Sequence, residues 1–171
     1  MKKDNWIPII FLLTFVLSFI FGAISTMVSN MNVFLLGALL IIIIFIGILF
    51  DMIGVAVLSC EEASFHAKAS RKISGAKECI QLIKKANQTS SICNDVIGDI
   101  CGIVSGSISA SLVVLLYDTP FMAILLTAVV SSFTVGGKAI GKKMAIDRSE
   151  NIVFLVGKII NKLPFKRWIL K

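Results

Sequence analysis

Four long runs of apolar residues, almost free of charge, dominate the pattern of hydrophobic and polar positions along this chain. The runs cover residues 7–28, 33–58, 97–117 and 121–140. The charged residues inside them are Asp51, Asp99 and Lys138, one in each of the last three runs. Because a helix needs roughly 20 apolar residues to cross the hydrocarbon core of a bilayer, the pattern predicts about four transmembrane helices and an all-α fold.

The first run follows a basic start at Lys2 and Lys3, so it also fits the pattern of a cleaved signal peptide. Two features favour a retained span instead. The apolar stretch is longer than the hydrophobic region of most signals, and Ala23-Ile24-Ser25 matches a cleavage site poorly. Cleavage would leave three spans and the same topology for the rest of the chain.

Two segments outside the runs mix charged with apolar residues. Residues 59–96 are interrupted at Ser74-Gly75, which predicts a cytoplasmic helical hairpin with one apolar face on each helix. Residues 147–164 place apolar side chains along one helical face but are too short to span a bilayer, so an interfacial amphipathic helix is expected there. Residues 1–171 are therefore interpreted as a single polytopic membrane domain.

The positive charges occupy alternate connections between the runs. Of the 17 Lys and Arg residues, two precede the first run, six lie within 59–96 and nine lie from Lys138 onward. The connections 29–32 and 117–120 contain none. With four spans every Lys and Arg falls on one side, and the positive-inside rule places both termini in the cytoplasm of a bacterial inner membrane. The net charge of +7 then indicates a lipid bilayer as partner and no nucleic acid.

The composition agrees with a membrane protein and offers little for catalysis. The hydrophobic fraction is 57% and the mean hydropathy is +0.93, against roughly 45–50% apolar residues in a soluble domain. The four cysteines form no C-x-x-C pair and the chain has one histidine, so a zinc site is not expected. No glycine-rich phosphate loop or nucleophile–histidine motif occurs, and the chain is not expected to be an enzyme.

The third run carries glycines at every fourth position: Gly98, Gly102 and Gly106. Residues four apart lie on nearly the same helical face, so these glycines form a smooth groove that another helix can approach closely. The groove fits packing between spans of one chain. The main alternative is the interface of a homodimer, and we expect this protein to be dimeric.

Ionisable residues inside the runs are costly to insert, roughly 2.5–3.5 kcal/mol each, and therefore point to function. If its helix continues, Asp51 shares a face with Glu62, three turns later, and with Ser59. Asp99 and Lys138 come from the third and fourth runs. Carboxylates and hydroxyls are ligands that Mg²⁺ prefers. The same residues also fit a neutralised pair, in which Lys138 bonds to Asp99 or Glu62 and no ion binds, and residue chemistry leaves both interpretations open.

Three short motifs occur along the chain, and their order and spacing can be compared with those of known families. They read Ser59-Cys60-Glu61-Glu62-Ala63-Ser64, Ile97-Gly98-Asp99-Ile100 and Gly137-Lys138-Ala139-Ile140-Gly141-Lys142. They resemble the Ser-Ala-Ser-Glu-Thr-Ala, Ile-Gly-Asn-Asn and Gly-Glu-Ile-Leu-Pro-Lys motifs in the transmembrane domain of the CNNM/CorC (CorB-like) Mg²⁺/Co²⁺ transporter family. The resemblance covers about residues 53–164. It does not include the family's regulatory cystathionine-β-synthase pair, so it carries no expectation of nucleotide-linked gating.

The resemblance implies a Mg²⁺ site as well as a fold. Carried over position by position, the family's ligands fall on Ser59, Glu62, Asp99 and Gly137. Lys138, however, stands where the family has its membrane-embedded Glu, while Glu61 and Asp99 are acids where the family has Ser and Asn. A lysine ammonium in that cavity would take the position of the cation and neutralise the carboxylates.

The leading expectation is a small CorB-like membrane protein concerned with divalent-cation transport, with Mg²⁺ as the transported ion and no other cofactor. The alternative is a non-transporting membrane scaffold or regulatory subunit in which Lys138 fills the former ion site. A third hypothesis is transport of another substrate, coupled to protons through Asp51 and Glu62.

Overall fold

The computed structural model describes residues 6–28, 32–116 and 120–162, and this part of the chain is helical, without strands. The α-helices are α1 Trp6–Val28, α2 Val33–Ser59, α3 Ala63–Ser70, α4 Ala76–Lys84, α5 Ala86–Ser91, α6 Asp99–Leu116, α7 Pro120–Asp147 and α8 Ser149–Lys162. A π-helix, Ile92–Gly98, lies between α5 and α6. Most of the two predicted short connections and the end of the predicted interfacial helix lie outside the described residues.

Among the described residues, four helical stretches are long and apolar enough to cross a membrane, which confirms this part of the prediction. They are Ile7–Ile24, Val33–Ser59, Ala86–Leu116 and Pro120–Asp147. The third begins earlier than its apolar run, because no Gly or Pro interrupts residues 86–97. The fourth continues past residue 140 for a similar reason, since Lys142 and Lys143 favour a helix even though they are charged.

The described residues pack as two compact units. Unit one consists of Met1–Leu49 and Asp95–Ala139. Its core is formed by α2 and the third apolar stretch, with apolar side chains repeating at intervals of four residues. The fully or almost fully buried members are Leu36, Leu40, Val96, Ile100, Val104, Ile108 and Leu112. Helix α1 packs on α6, and Ile10 and Leu17 of α1 contact this core.

Unit two consists of Phe50–Asn94 and Ile140–Lys171. Here α4 packs against both α3 and α8. The buried core contains Ala56, Val57, Cys60, Phe65, Cys79, Leu82, Ala145, Val153 and Ile160. Gly75 precedes α4 with φ +91°, a conformation that favours glycine, and a Cβ there would lie 2.8 Å from the backbone nitrogen of Lys158. Glycine therefore permits the close approach of α8 to the start of α4.

Helix α8 divides its apolar residues between two faces. Val153, Gly157 and Ile160 are buried in unit two, whereas Leu155 and Ile159 are exposed. The apolar face predicted for residues 147–164 therefore packs partly against the rest of unit two. Its other side, with Leu155 and Ile159, is exposed.

Large apolar side chains cover the surface of the spanning helices. In α1 and α7 none of the residues in the most apolar stretch is buried, and Phe11, Phe19 and Phe133 are among the exposed side chains. Soluble monomers rarely expose apolar patches of this extent, whereas lipid chains cover them without penalty. The helices have the surface of membrane-spanning elements.

Candidate functional site

Lys138 of α7 lies beside the junction of the π-helix and α6 in unit one. Its Nζ donates a hydrogen bond to the carbonyl oxygen of Gly98 at 3.3 Å, and it lies 3.8 Å from Oδ1 of Asp99. The Lys138 side chain is 21% exposed and that of Asp99 is 67% exposed. Asp99 is the first residue of α6, where a negative charge is also favoured by the helix dipole. A carbonyl and a carboxylate thus surround the ammonium group with oxygen atoms.

Gly137, next to Lys138, is a site of close helix packing. A Cβ at this position would overlap the side chain of Ile48 on α2. Its hydrogen atom therefore lets α7 approach α2 within unit one, and a larger residue would displace the helix that carries Lys138. This steric role accounts for the glycine without any ligand.

The other predicted ligands belong to unit two. Glu62 immediately precedes α3, where its Oε1 lies 2.9 Å from Nε2 of His66 and 3.7 Å from Nζ of Lys84. Ser59 is the exposed last residue of α2. Because α2 ends there, the unbroken helix that would place Asp51 and Glu62 on one face does not exist. Glu61 is exposed, and its backbone carbonyl accepts a long hydrogen bond of 3.4 Å from Ser64.

Asp51 is the most deeply buried acid of the predicted set. It is 3% exposed, and its Oδ2 lies 3.4 Å from Nζ of Lys142, whose side chain is half-exposed. This separation makes an ion pair, but the atoms do not have hydrogen-bond geometry, so Oδ2 accepts no hydrogen bond. The partner of Asp51 is Lys142, which sequence reasoning missed. The signal was present as a second lysine four residues after Lys138 on the same helix.

The glycines predicted for helix packing differ in their surroundings. Gly98 is buried, but a Cβ added at Gly102 or Gly106 would meet nothing within 4 Å. The part of the groove formed by Gly102 and Gly106 is therefore open in a single chain.

The predicted metal ligands are divided between the units, with Ser59 and Glu62 in one and Asp99 and Gly137 in the other. Within the described ranges, no group of three or more His, Cys, Asp or Glu side chains is arranged to hold a metal ion. The donors that the structure does bring together are the Gly98 carbonyl and the Asp99 carboxylate, and both face Lys138. This set suits an ammonium group better than a divalent cation, which prefers several carboxylates.

Two cysteines near α3 and α4 are buried in unit two, and burial is the main cause that raises the pKa of both thiols. The pKa of Cys79 is raised to about 11. That of Cys60 is raised as well, although a hydrogen bond with Ser149 opposes the shift. The Cys79 thiol also donates to the carbonyl oxygen of Val153 at 3.3 Å. Both groups are therefore neutral packing residues at physiological pH.

Comparison with known proteins adds no relative: no family model, curated protein or solved structure matches the chain significantly.

Proposed function

We propose that this chain is a multi-pass protein of a bacterial inner membrane, with both termini and residues 59–96 in the cytoplasm. The four long apolar helices and their exposed apolar side chains support the crossing. The alternation of the 17 Lys and Arg residues supports the orientation. In this topology α3 and α4 form a cytoplasmic hairpin, and the exposed flank of α8 faces the lipid headgroups.

Within that membrane the protein acts as a non-transporting scaffold or regulatory subunit. The observation that carries this proposal is the pairing of Lys138 with the Gly98 carbonyl and the Asp99 carboxylate. At the corresponding position, the CNNM/CorC family that the sequence resembles has an acid. Lysine replaces that negative charge with a compact positive charge.

The ammonium group of Lys138 acts as a permanently bound cation. It satisfies the oxygen atoms that would otherwise attract a free ion, and it is covalently attached to α7. A transported ion must instead bind and dissociate, which requires donors that are accessible and not permanently neutralised. The pairing therefore favours a fixed internal contact over a transport step.

Mg²⁺ binding to the purified protein, measured by calorimetry in detergent at neutral pH, tests this proposal. We expect no Mg²⁺ binding by the wild type and binding by Lys138→Glu, because the variant exchanges the tethered cation for a second carboxylate beside Asp99. Lys143→Glu is the matched control, since it makes the same charge change at an exposed position of α7. Wild-type binding that Asp99→Ala abolishes would overturn the proposal.

The second candidate function is divalent-cation transport by a CorB-like protein, with Mg²⁺ as the substrate. The observation that favours it is the exposure of Asp99, which leaves two-thirds of this side chain accessible despite its contact with Lys138. Transport would require Lys138 to withdraw from Asp99 so that the carboxylate receives the ion. Uptake of Mg²⁺ into vesicles containing the protein, lost in Asp99→Ala, is the corresponding measurement.

We also propose that the protein forms a homodimer through the open groove of α6. Gly102 and Gly106 leave room for a second helix, and contact between backbones is the usual use of such glycines in membranes. Gly106→Leu should shift the protein from dimer to monomer in detergent, as measured by light scattering. Gly22→Leu, at an equally open position of α1, is the control.

A further inference from the structure

A second polar site lies in unit two, apart from the Lys138 contact. Three buried side-chain oxygens among the described residues accept no hydrogen bond, and two of them belong to Asp51 and Asn94. Native proteins rarely leave buried acceptors without a partner, because the loss of hydration is then uncompensated. A hydrogen-bond donor or a cation beside each of these oxygens would compensate for the lost hydration.

One of these oxygens belongs to Asp51 of α2, and the other lies against Gly54 of the same helix. Asn94 packs its side-chain amide against Gly54, where even a methyl group would overlap it. Gly54 follows Asp51 by three residues, which is close to one helical turn. The Nδ2 of Asn94 donates to Oγ of Ser90 at 3.1 Å, and this hydrogen bond orients the amide so that Oδ1 faces α2.

The backbone around Asn94 departs from a regular α-helix. Asn94 lies in the π-helix Ile92–Gly98, and π-helical turns are frequent at functional sites. Irregular helices in membrane proteins supply carbonyl oxygens to monovalent cations in several transporter folds. The carboxylate of Asp51, the carboxamide of Asn94 and the first residues of the irregular helix, Ile92–Asn94, thus belong to unit two.

The charge of the site determines which cation it would take. Asp51 contributes one negative charge, and Lys142 balances it at 3.4 Å. A monovalent cation can replace the Lys142 ammonium without changing the net charge, whereas a divalent cation would leave an uncompensated positive charge in an apolar environment. Lys142 is half-exposed, so its ammonium group can withdraw into water.

We propose that Asp51 and Asn94 bind a monovalent alkali cation in competition with Lys142. The cation contacts Oδ2 of Asp51 and Oδ1 of Asn94, and water or backbone carbonyls complete its coordination. Lys142 occupies the carboxylate when the cation is absent. The proposal is independent of the function assigned to Lys138, since it concerns other residues and another ion.

Thermal unfolding of the full chain in detergent tests the site, followed by circular dichroism at 222 nm. The salts are NaCl, KCl and choline chloride at equal ionic strength and neutral pH, because choline is too large for the site. A ligand that binds the folded state at ten times its Kd should raise the Tm by about 3–6 °C. We expect this increase with NaCl or KCl relative to choline chloride.

The variants identify the atoms responsible. Lys142→Gln removes the competing ammonium and should lower the half-effective cation concentration by about tenfold, whereas Lys143→Gln on the same helix should not change it. Asn94→Ala should raise that concentration, and Asp51→Asn should abolish the salt-specific increase. Equal Tm values in the three salts for both the wild type and Lys142→Gln would overturn the proposal, leaving a closed ion pair.

Discussion

The carboxylate of Asp51 is almost completely buried, yet the ammonium that neutralises it, that of Lys142, is half-exposed. The two partners of this ion pair therefore depend on each other unequally. Asp51 has no access to water when the pair is broken, whereas Lys142 can be hydrated where it stands. The stability of unit two should therefore depend more on Lys142 than on Asp51.

We predict that Lys142→Met destabilises the protein more than Asp51→Asn. The first change leaves a buried carboxylate without its counter-ion, which typically destabilises by about 3–5 kcal/mol. The second leaves a half-exposed ammonium, for which about 1 kcal/mol is expected. The measurement is the free energy of unfolding in choline chloride, where no small cation can substitute.

The double variant Asp51→Asn, Lys142→Met provides the control for this comparison. If the two residues interact, its destabilisation should be smaller than the sum of the single values by about 1–3 kcal/mol. Strictly additive effects would show that the two charges do not interact.

Gly157→Ala should destabilise unit two by about 1–3 kcal/mol, as is typical when a methyl group is forced into a packed contact. A Cβ at Gly157 would overlap Sγ of Cys79 and lie 2.7 Å from the carbonyl oxygen of Gly75. Helix α8 would have to move away from α4. The change is measured as a lower Tm in thermal unfolding followed by circular dichroism.

Gly22→Ala is the matched control for Gly157→Ala, because it adds the same methyl group to a helix at a position with open space, outside the proposed dimer groove. Replacing a helical glycine by alanine at such a site is expected to stabilise by up to about 1 kcal/mol. Equal destabilisation by both variants would contradict the close packing of α8 on α4.

Unfolding should become easier as the pH rises from 9 to 11, in part because of Cys79. Burial raises the pKa of this thiol from 9.0 to about 11 in the folded protein. Between these values the unfolded chain releases a proton that the folded protein retains, so stability decreases with increasing pH. The measurement is the Tm over this pH range for the wild type and Cys79→Ala.

The alanine variant removes this thiol and should show a shallower decrease of Tm between pH 9 and 11. All other ionisable groups are the same in the two proteins, so the difference between the two slopes isolates Cys79. Alkylation gives an independent measure, because Cys79 should react with iodoacetamide only slowly at pH 8 in the folded state. Identical slopes and fast alkylation would contradict the burial of this thiol.

The proposed topology predicts opposite results for two reporter fusions in a bacterial host. Alkaline phosphatase inserted after Asn30 should be active, because the first short connection is then outside the cytoplasm. Green fluorescent protein fused after Lys171 should fluoresce, because the carboxyl end is then inside. A phosphatase fusion after Lys85 is the internal control and should be inactive.

The spanning helices were predictable because a long run of apolar residues can cross the bilayer without placing a charge in lipid. Their extensions over residues 86–96 and 141–147 were not predicted, since hydropathy does not mark segments that carry many polar side chains, although such side chains are compatible with a helix. Of the candidate site, the contact between Lys138 and Asp99 was predicted as one alternative. The roles of Lys142 and Asn94 were missed, because the sequence does not show which helices bring these residues beside Asp51 and Gly54.

The sequence by itself therefore determined the apolar helices of this protein and the ionisable residues within them. The helices and the charges within them can be read from local composition, because the summed hydrophobicity of about 20 residues decides whether a segment crosses the membrane. Only the tertiary structure decided the partner of each charge. Lys142 pairs with Asp51, and Asn94 faces Gly54, because these contacts join residues far apart in the chain through the close packing of helices.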